Sequence, residues 1–347
     1  MPVLSRTELS CKQNMKDLRN YDLRQHNTFG IEARCRRFLE YESVDEARQV
    51  AAILRKSAEP FLIIGGGSNL LLTGDFDGIV VHSALKGIFV DGPCLCCGSG
   101  EVWDEVVAWS VENGLYGAEN LSLIPGDVGA SAVQNIGAYG VEVKDLILRV
   151  KAVEIATGTL RMFEREECGY AYRQSKFKGE WRNQYLITSV DYLLNRDYRP
   201  RLDYGNIRQE LERRGIQYPT ADELRQAVIS IRNAKLPDPK VLGNAGSFFM
   251  NPVVPKEKFE QLLAAYPDMP HYYIDDSHEK IPAGWMIEKC GWKGRSLGRA
   301  AVHDKQALVL VNKGGATGRD IVVLCEAVRH DVKEKFGIEI FPEVNIV

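Results

Sequence analysis

Apolar positions recur at two spacings along this chain, and the changes from one to the other mark its elements. Ser43-Val-Asp-Glu46 has the form of a capping box, and Ala47, Val50, Ala51 and Leu54 follow it on one face of a helix. Pro60 stops that helix, and the continuous apolar run Phe61–Ile64 predicts a short buried strand. Gly65, Gly66 and Gly67 come next, and residues 79–81 predict another strand. This alternation of strand and helix predicts a small α/β unit.

A second stretch opens with a strand carrying Cys94, Cys96 and Cys97, the first two on one face and the third on the other. A helix with Trp103, Val106, Val107 and Ser110 follows and is closed by Gly114. From Ile124 to Val141 the chain reads as a glycine-rich polar loop, with Gly126, Gly129, Gly137 and Gly140 among Gln134 and Asn135. Strands are predicted again over 150–155 and 185–194, and 195–205 reads as an exposed loop. Thr220-Ala-Asp-Glu223 is a second capping box, heading a helix with Leu224, Ala227, Val228 and Ile231 on one stripe. Leu236-Pro-Asp-Pro239 breaks that helix and is the best candidate for a domain boundary. Beyond it the pattern predicts a helix near 259–265, a strand over 307–311, a long helix through Ile321, Leu324, Cys325, Val328 and Val332, and a final strand.

Composition narrows the class. A chain of 347 residues suggests two or three domains at roughly 100–200 residues each. Apolar residues at 45% and charged residues at 26% exclude disorder and collagen-like repeats. Lys and Arg number 44 against 47 Asp and Glu, a formal charge of −3, which gives no electrostatic footprint for wrapping nucleic acid. The apolar run 307–311 is far short of the roughly 20 residues a membrane span needs, and residues 1–19 lack an apolar signal core, so a cytoplasmic protein is expected. The eight cysteines are too irregularly spaced for a disulfide scaffold, and neither they nor the six histidines form a ligand set, so no metal is implied.

Two glycine-rich segments invite a ligand. Gly65-Gly-Gly-Ser-Asn69 follows a strand, where bare amides can approach a phosphate, yet it is neither a P-loop nor a dinucleotide fingerprint. The segment from Ile124 to Gly140 joins four glycines and two side-chain amides, a density that suits a pyrophosphate and a polar ring edge. Read singly, Arg173 would be a surface arginine, Ser247 a turn serine and Glu343 a solvated strand carboxylate. Residue patterns alone reach an α/β protein with a nucleotide-like ligand.

The motifs taken in order go further. Asn27-Thr-Phe-Gly30, Gly65-Gly-Gly-Ser-Asn69, Ile124-Pro-Gly126, Gln134-Asn-Ile-Gly-Ala-Tyr-Gly140 and Tyr172-Arg173 are followed by Gly243-Asn-Ala-Gly-Ser-Phe-Phe249, Ala283-Gly-Trp285, Ala301-Val-His303 and Pro342-Glu343. Together they resemble the UDP-N-acetylenolpyruvoylglucosamine reductase (MurB) family, flavoenzymes of bacterial peptidoglycan precursor synthesis, from about Asn27 to the C-terminus. The resemblance implies an α+β and α/β fold: a two-part FAD-binding region of the p-cresol methylhydroxylase/vanillyl-alcohol oxidase type and a C-terminal α+β substrate-binding domain. It implies FAD-binding subdomains over 1–86 and 87–232, the second joined by 337–347, and a substrate domain over 233–336. Asp203-Tyr204-Gly205 matches the tyrosine loop of the family's longer type.

The implied reaction passes a hydride from NADPH to FAD, and then to the methylene carbon of the enolpyruvyl ether of UDP-N-acetylglucosamine. Charge left on the neighbouring carbon spreads into the substrate carboxylate, which calls for a cation there and an acid to protonate the carbon. By match to the family, Arg173 polarises the carboxylate, Ser247 donates the proton and Glu343 is the second stabiliser, protonated or neutralised by a cation. The implied FAD contacts are Gly65, Gly66, Gly67, Ser68, Asn69, Gly126, Gly129, Gln134, Asn135 and Gly137. Tyr204, Lys235, Asn251 and Gln306 are the implied contacts to the UDP part, in a monomer that binds neither nucleic acid nor membrane. Ala132 and Asp127 depart from the family pattern, which usually has proline at the first and a small or hydroxyl residue at the second. A carboxylate at position 127 would repel a pyrophosphate unless a neighbouring cation compensates. The rival readings are a flavin oxidase or dehydrogenase on the same fold, and a non-catalytic nucleotide-sugar binding protein.

Overall fold

The structure, a computed structural model, describes residues 15–347. Cys11 and most of the segment read for a signal core lie outside the described residues. The first sheet runs in the order Lys16–Asp22, Arg34–Tyr41, Phe76–Ser83, Phe61–Ile64, with the first pair antiparallel and the others parallel. The crossover between its parallel strands is the helix Val44–Lys56. Ser43 caps this helix by accepting from the Glu46 N–H, worth about 1 kcal/mol. The Glu46 carboxylate accepts from the N–H of Glu42 rather than from that of Ser43, so the box is shifted by one residue. Ala47, Val50, Ala51 and Leu54 face a core that includes Val153 and Leu186 of the second sheet and Ile155 just past its strand. One apolar stripe therefore holds two sheets together.

That second sheet is antiparallel throughout, in the order Leu160–Glu164, Ile147–Glu154, Tyr185–Leu193, Cys94–Gly98, Ile88–Asp91. The cysteine strand is buried on both faces, with Leu95 and Cys97 in one core. Burial raises the Cys96 thiol to about 11, the Cys168 thiol to about 11 and the Cys325 thiol to about 12. Among the described residues all seven cysteines are free. The polar segment after Ile124, expected as a loop, contains the helix Val128–Gln134. Its seven residues carry too little periodicity to be read, and Val128 and Gly129 donate to the carbonyls of Glu101 and Ser99, so tertiary contacts build it. Ala132 lies fully buried in the same core as Trp103 and Val107.

The helix Ala221–Lys235 is headed by the reciprocal Thr220–Glu223 box, as the spacing predicts, and ends at Leu236 before Pro237. Beyond it the strands Gly243–Ser247, Val309–Asn312, Ala300–Val302 and Ser296–Leu297 form an antiparallel sheet in that order. The strand expected over 307–311 is displaced toward Asn312. The helix Gly318–Phe336 covers the sheet with Ile321, Leu324, Cys325, Val328 and Val332. A smaller sheet of Val253–Pro255, His278–Lys280 and Tyr272–Asp275 stands beside it.

Two connections fix these layers around one space. Thr28 donates its hydroxyl to the Asn244 carbonyl at 2.6 Å and its N–H to the Gly67 carbonyl at 3.1 Å, so the Asn27–Gly30 turn joins the first glycine loop to the C-terminal sheet. The chain's last residues make the other connection. Residues 337–347 were expected with the second unit, but Asn345–Ile346 pairs in parallel with Leu70–Leu71 of the first. Before that pairing, the Glu343 N–H donates to the Phe248 carbonyl at 2.8 Å. Among the described residues, no helix is long and apolar enough to cross a membrane.

Candidate active site

A cavity of about 1250 Å³ lies where the layers meet. Pockets for one drug-sized ligand run to about 1,000 Å³, so this one has room for more than a single small molecule. The two glycine segments form one wall. Gly67 has φ +68°, and a Cβ there would stand 2.0 Å from the His26 carbonyl oxygen, so the loop admits only glycine at its tightest point. A Cβ on Gly65 would meet that of Ala130 at 2.9 Å, and the Ser68 hydroxyl donates to the Pro125 carbonyl at 3.0 Å. Among the described residues, no hydrogen bond takes up the N–H groups of Gly66, Gly67 or Ser68. The buried Oε1 of Gln134, also on the cavity, has no partner either. Unclaimed amides and an orphaned buried oxygen are what a phosphate-bearing, polar-edged ligand would satisfy.

Arg173, Ser247 and Glu343, 170 positions apart at the extremes, line the same cavity. Tyr172 and Arg173 form the tip of a tight turn closed by Ala171 and Gln174, and Arg173 has φ 56°, an uncommon left-handed value for a side-chain residue. Its Nε donates to Glu343 Oε1 at 2.9 Å and its Nη2 to the Gly137 carbonyl at 2.7 Å. A Cβ on Gly137 would fall 2.9 Å from Arg173 Nη1, so this glycine clears the guanidinium's place. The guanidinium therefore lies directly against the Glu343 carboxylate. Ser247 is exposed to the cavity, one residue before the carbonyl that receives the Glu343 N–H. Lys178 adds charge beside them: its Nζ donates to the Arg173 carbonyl at 3.2 Å, and burial lowers its pKa against the pull of Glu343.

Asn135 differs from expectation. Its side chain is fully buried and does not line the cavity. Nδ2 donates to Glu142 Oε2 and to the Ala171 carbonyl at 3.0 and 2.8 Å, and Oδ1 accepts from the Lys144 N–H at 3.1 Å. With both ends of the amide used, Asn135 is no cofactor contact; it braces the turn that carries Arg173. Asn69 also holds structure, since its Nδ2 donates to the Glu343 carbonyl at 3.3 Å.

Tyr204, Lys235, Asn251 and Gln306 all line the far side. Asn251 Oδ1 accepts from the Ala283 N–H at 2.9 Å, which leaves its NH₂ group to face a ligand, and among the described residues Lys235 has no carboxylate partner. Two residues that sequence reasoning missed stand with them. Lys280 Nζ sits 4.9 Å from the Tyr172 ring centroid and 5.4 Å from that of Tyr272, and the Tyr272 ring lies parallel to Tyr204 at 6.5 Å. Burial, then the charge of Arg173, lowers the Lys280 pKa. No local motif announces this lysine, because the small three-stranded sheet alone carries it to the cavity. Among the described residues no cluster of His, Cys, Asp or Glu could hold a metal ion.

Comparison with known proteins agrees with this architecture. Residues 36–164 match the FAD binding domain family, and residues 238–347 match the C-terminal domain of UDP-N-acetylenolpyruvoylglucosamine reductase (MurB). A UDP-N-acetylenolpyruvoylglucosamine reductase of Bacteroides fragilis is 54% identical over 94% of this chain and 99% of its own length. The chain belongs to the UDP-N-acetylenolpyruvoylglucosamine reductase family. The reductase of Flavobacterium johnsoniae is 45% identical over 94% of this chain and 98% of its own. The crystal structure of the MurB reductase from Thermus caldophilus has the same fold, with a TM-score of 0.66 over 96% of this chain and 98% of that one, at 22% identity. In this family the two glycine segments belong to a flavin-binding region, which accounts for their fitting neither a P-loop nor a dinucleotide fingerprint.

Proposed function

We propose that this MurB-family chain is an FAD-dependent reductase that uses NADPH to convert the enolpyruvyl ether of UDP-N-acetylglucosamine to UDP-N-acetylmuramate. The observation that carries this reading is the Arg173–Glu343 pair, held at 2.9 Å in the cavity that Ser247 and both glycine segments line. The loop Gly65 to Asn69, with Gly126 and Gly129, would hold the FAD pyrophosphate on its free amides, and Gln134 would meet a polar ring edge. Bound there, FAD supplies the two-electron chemistry between NADPH and the enolpyruvyl ether.

The chain's own residues do the rest. Arg173 has five N–H donors in a planar fork, and those not committed to Glu343 and to the Gly137 and Asn135 carbonyls receive the substrate carboxylate. Being fixed before substrate arrives, it stabilises the growing negative charge without reorganising. Ser247 Oγ holds the proton destined for the carbon beside that carboxylate. Glu343, neutralised by Arg173, stands close to developing charge without the repulsion of a lone carboxylate. Lys235 and Lys280 bind the UDP diphosphate as point charges, helped by Asn251 and Gln306, and Tyr204 closes over it against Tyr272. NADPH and the sugar nucleotide enter the same cavity in turn. Both nucleotide substrates suit work in the cytoplasm, and a monomer is the state we infer. The units we infer extend to 86, from 87 to 232 and from 233 to 336, with the C-terminal segment joining all three.

The test follows flavin colour. NADPH should bleach the yellow holoenzyme and the enolpyruvyl sugar nucleotide should restore it; an alcohol oxidase would bleach with its alcohol instead. Ser247→Ala should slow the restoring half about 10²–10⁴-fold and leave bleaching nearly intact. Equal loss in both halves would contradict the role given to Ser247.

A further inference from the structure

Asp127 is oddly used. It occupies the cap position of the helix Val128–Gln134, yet its side chain accepts no capping hydrogen bond. Its carboxylate turns to the first glycine loop instead: a Cβ on Gly66 would lie 3.2 Å from Oδ1, and one on Gly65 would lie 3.4 Å from Oδ2. A carboxylate therefore lies against the loop whose amides are free to receive an anion. The nearest cation is His82, whose Nε2 is 3.6 Å from Asp127 Oδ2 and whose Nδ1 is 2.9 Å from Glu40 Oε2. A ring with a carboxylate at each nitrogen can donate to both only when doubly protonated.

We propose that Glu40, His82 and Asp127 form a positioning relay for the cofactor phosphates, in which charged His82 cancels Asp127 and lets the glycine loop accept an anion. This rests on the reading that the Gly65 to Asn69 loop holds the FAD pyrophosphate. The surrounding charges close the balance. Lys16 Nζ donates to Glu40 Oε1 at 3.2 Å, so two cations, Lys16 and His82, face two carboxylates, Glu40 and Asp127. His26, whose ring is 5.1 Å from that of His82, is neutral: burial and the charge of His82 lower its pKa to about 4. Its Nε2 lies 3.2 Å from the Tyr21 hydroxyl. Burial disfavours the charged form of His82, but the nearby Asp127 carboxylate and the hydrogen bond to Glu40 outweigh it and raise the pKa to about 9. Removing the His82 proton leaves the group one charge negative beside the first glycine loop.

The experiment measures FAD dissociation from the holoenzyme, by the fluorescence regained on release, for the wild type, His82→Gln, Asp127→Asn and the double variant. His82→Gln should weaken FAD on the order of tenfold, and in the Asp127→Asn background that penalty should largely vanish. Wild-type affinity should fall as pH rises through about 9, and Asp127→Asn should not follow it. The pH comparison needs no His82 variant, so poor folding of His82→Gln leaves the proposal exposed to refutation. Normal FAD binding with an additive cycle, or with the same pH profile in both proteins, overturns the relay alone. A wild type that retains no FAD overturns the functional reading as well.

Discussion

Asn135→Ala tests the assignment of this residue to bracing. The substitution removes three hydrogen bonds, to Glu142, Ala171 and Lys144, from a fully buried side chain. The Ala171 carbonyl and the Lys144 N–H lose their partner, and alanine must also take φ 44°, which asparagine tolerates better. At about 1–3 kcal/mol for each stranded group and about 1 for the backbone, the expected loss is roughly 3–7 kcal/mol. Against a usual total of about 5–15 kcal/mol, such a loss is large. Urea unfolding of flavin-free protein, followed by the fluorescence of its five tryptophans, measures it without linkage to bound cofactor. Asn135→Gly, which relieves the backbone, should recover about 1 kcal/mol. A loss below about 1 kcal/mol, joined to a large fall in FAD affinity, would refute bracing and restore Asn135 as a direct contact.

Arg173→Lys keeps the charge but loses the fork that spans Glu343 and the Gly137 carbonyl, so kcat should fall about 10²–10³-fold in steady-state turnover. Gly67→Ala puts a Cβ 2.0 Å from the His26 carbonyl, and should abolish retention of yellow colour on gel filtration. Stability should peak near pH 6.5 in thermal melts. His82, raised to about 9, contributes fully below its unfolded value and loses that contribution as pH rises toward 9. His26, lowered to about 4, contributes above its unfolded value and loses it as pH falls toward 4. Glu40, lowered to about 2 by the His82 hydrogen bond against burial, adds a further loss from about 4.5 downward. His82→Gln should flatten the alkaline side of this profile.

Long helices were legible in the sequence because an apolar stripe and a cap act within one segment. The Ser43 and Thr220 helices form where that pattern puts them, and Leu236 ends the second. The helix Val128–Gln134 was hidden, since its first amides bond to Glu101 and Ser99 rather than within a local pattern. Candidate site residues were legible through the ordered motifs, not through any property of Arg173, Ser247 or Glu343 taken singly. A motif, however, cannot say which of its amides faces inward. Gln134 and Asn135 are neighbours in sequence, and the left-handed turn at Asn135 sends one to the cavity and the other into the protein. Lys280 and Tyr272 reach the site through pairing with distant strands, which spacing along the chain does not encode.

The packed thiols have a chemical consequence outside the reaction. Six of the seven described cysteines are buried, and Cys96, Cys168 and Cys325 ionise only far above neutral pH. Peroxide and alkylating agents attack the thiolate, so these three offer almost none of the reactive form under oxidative stress. A burst of oxidant that disables thiol-dependent enzymes would leave these three thiols reduced.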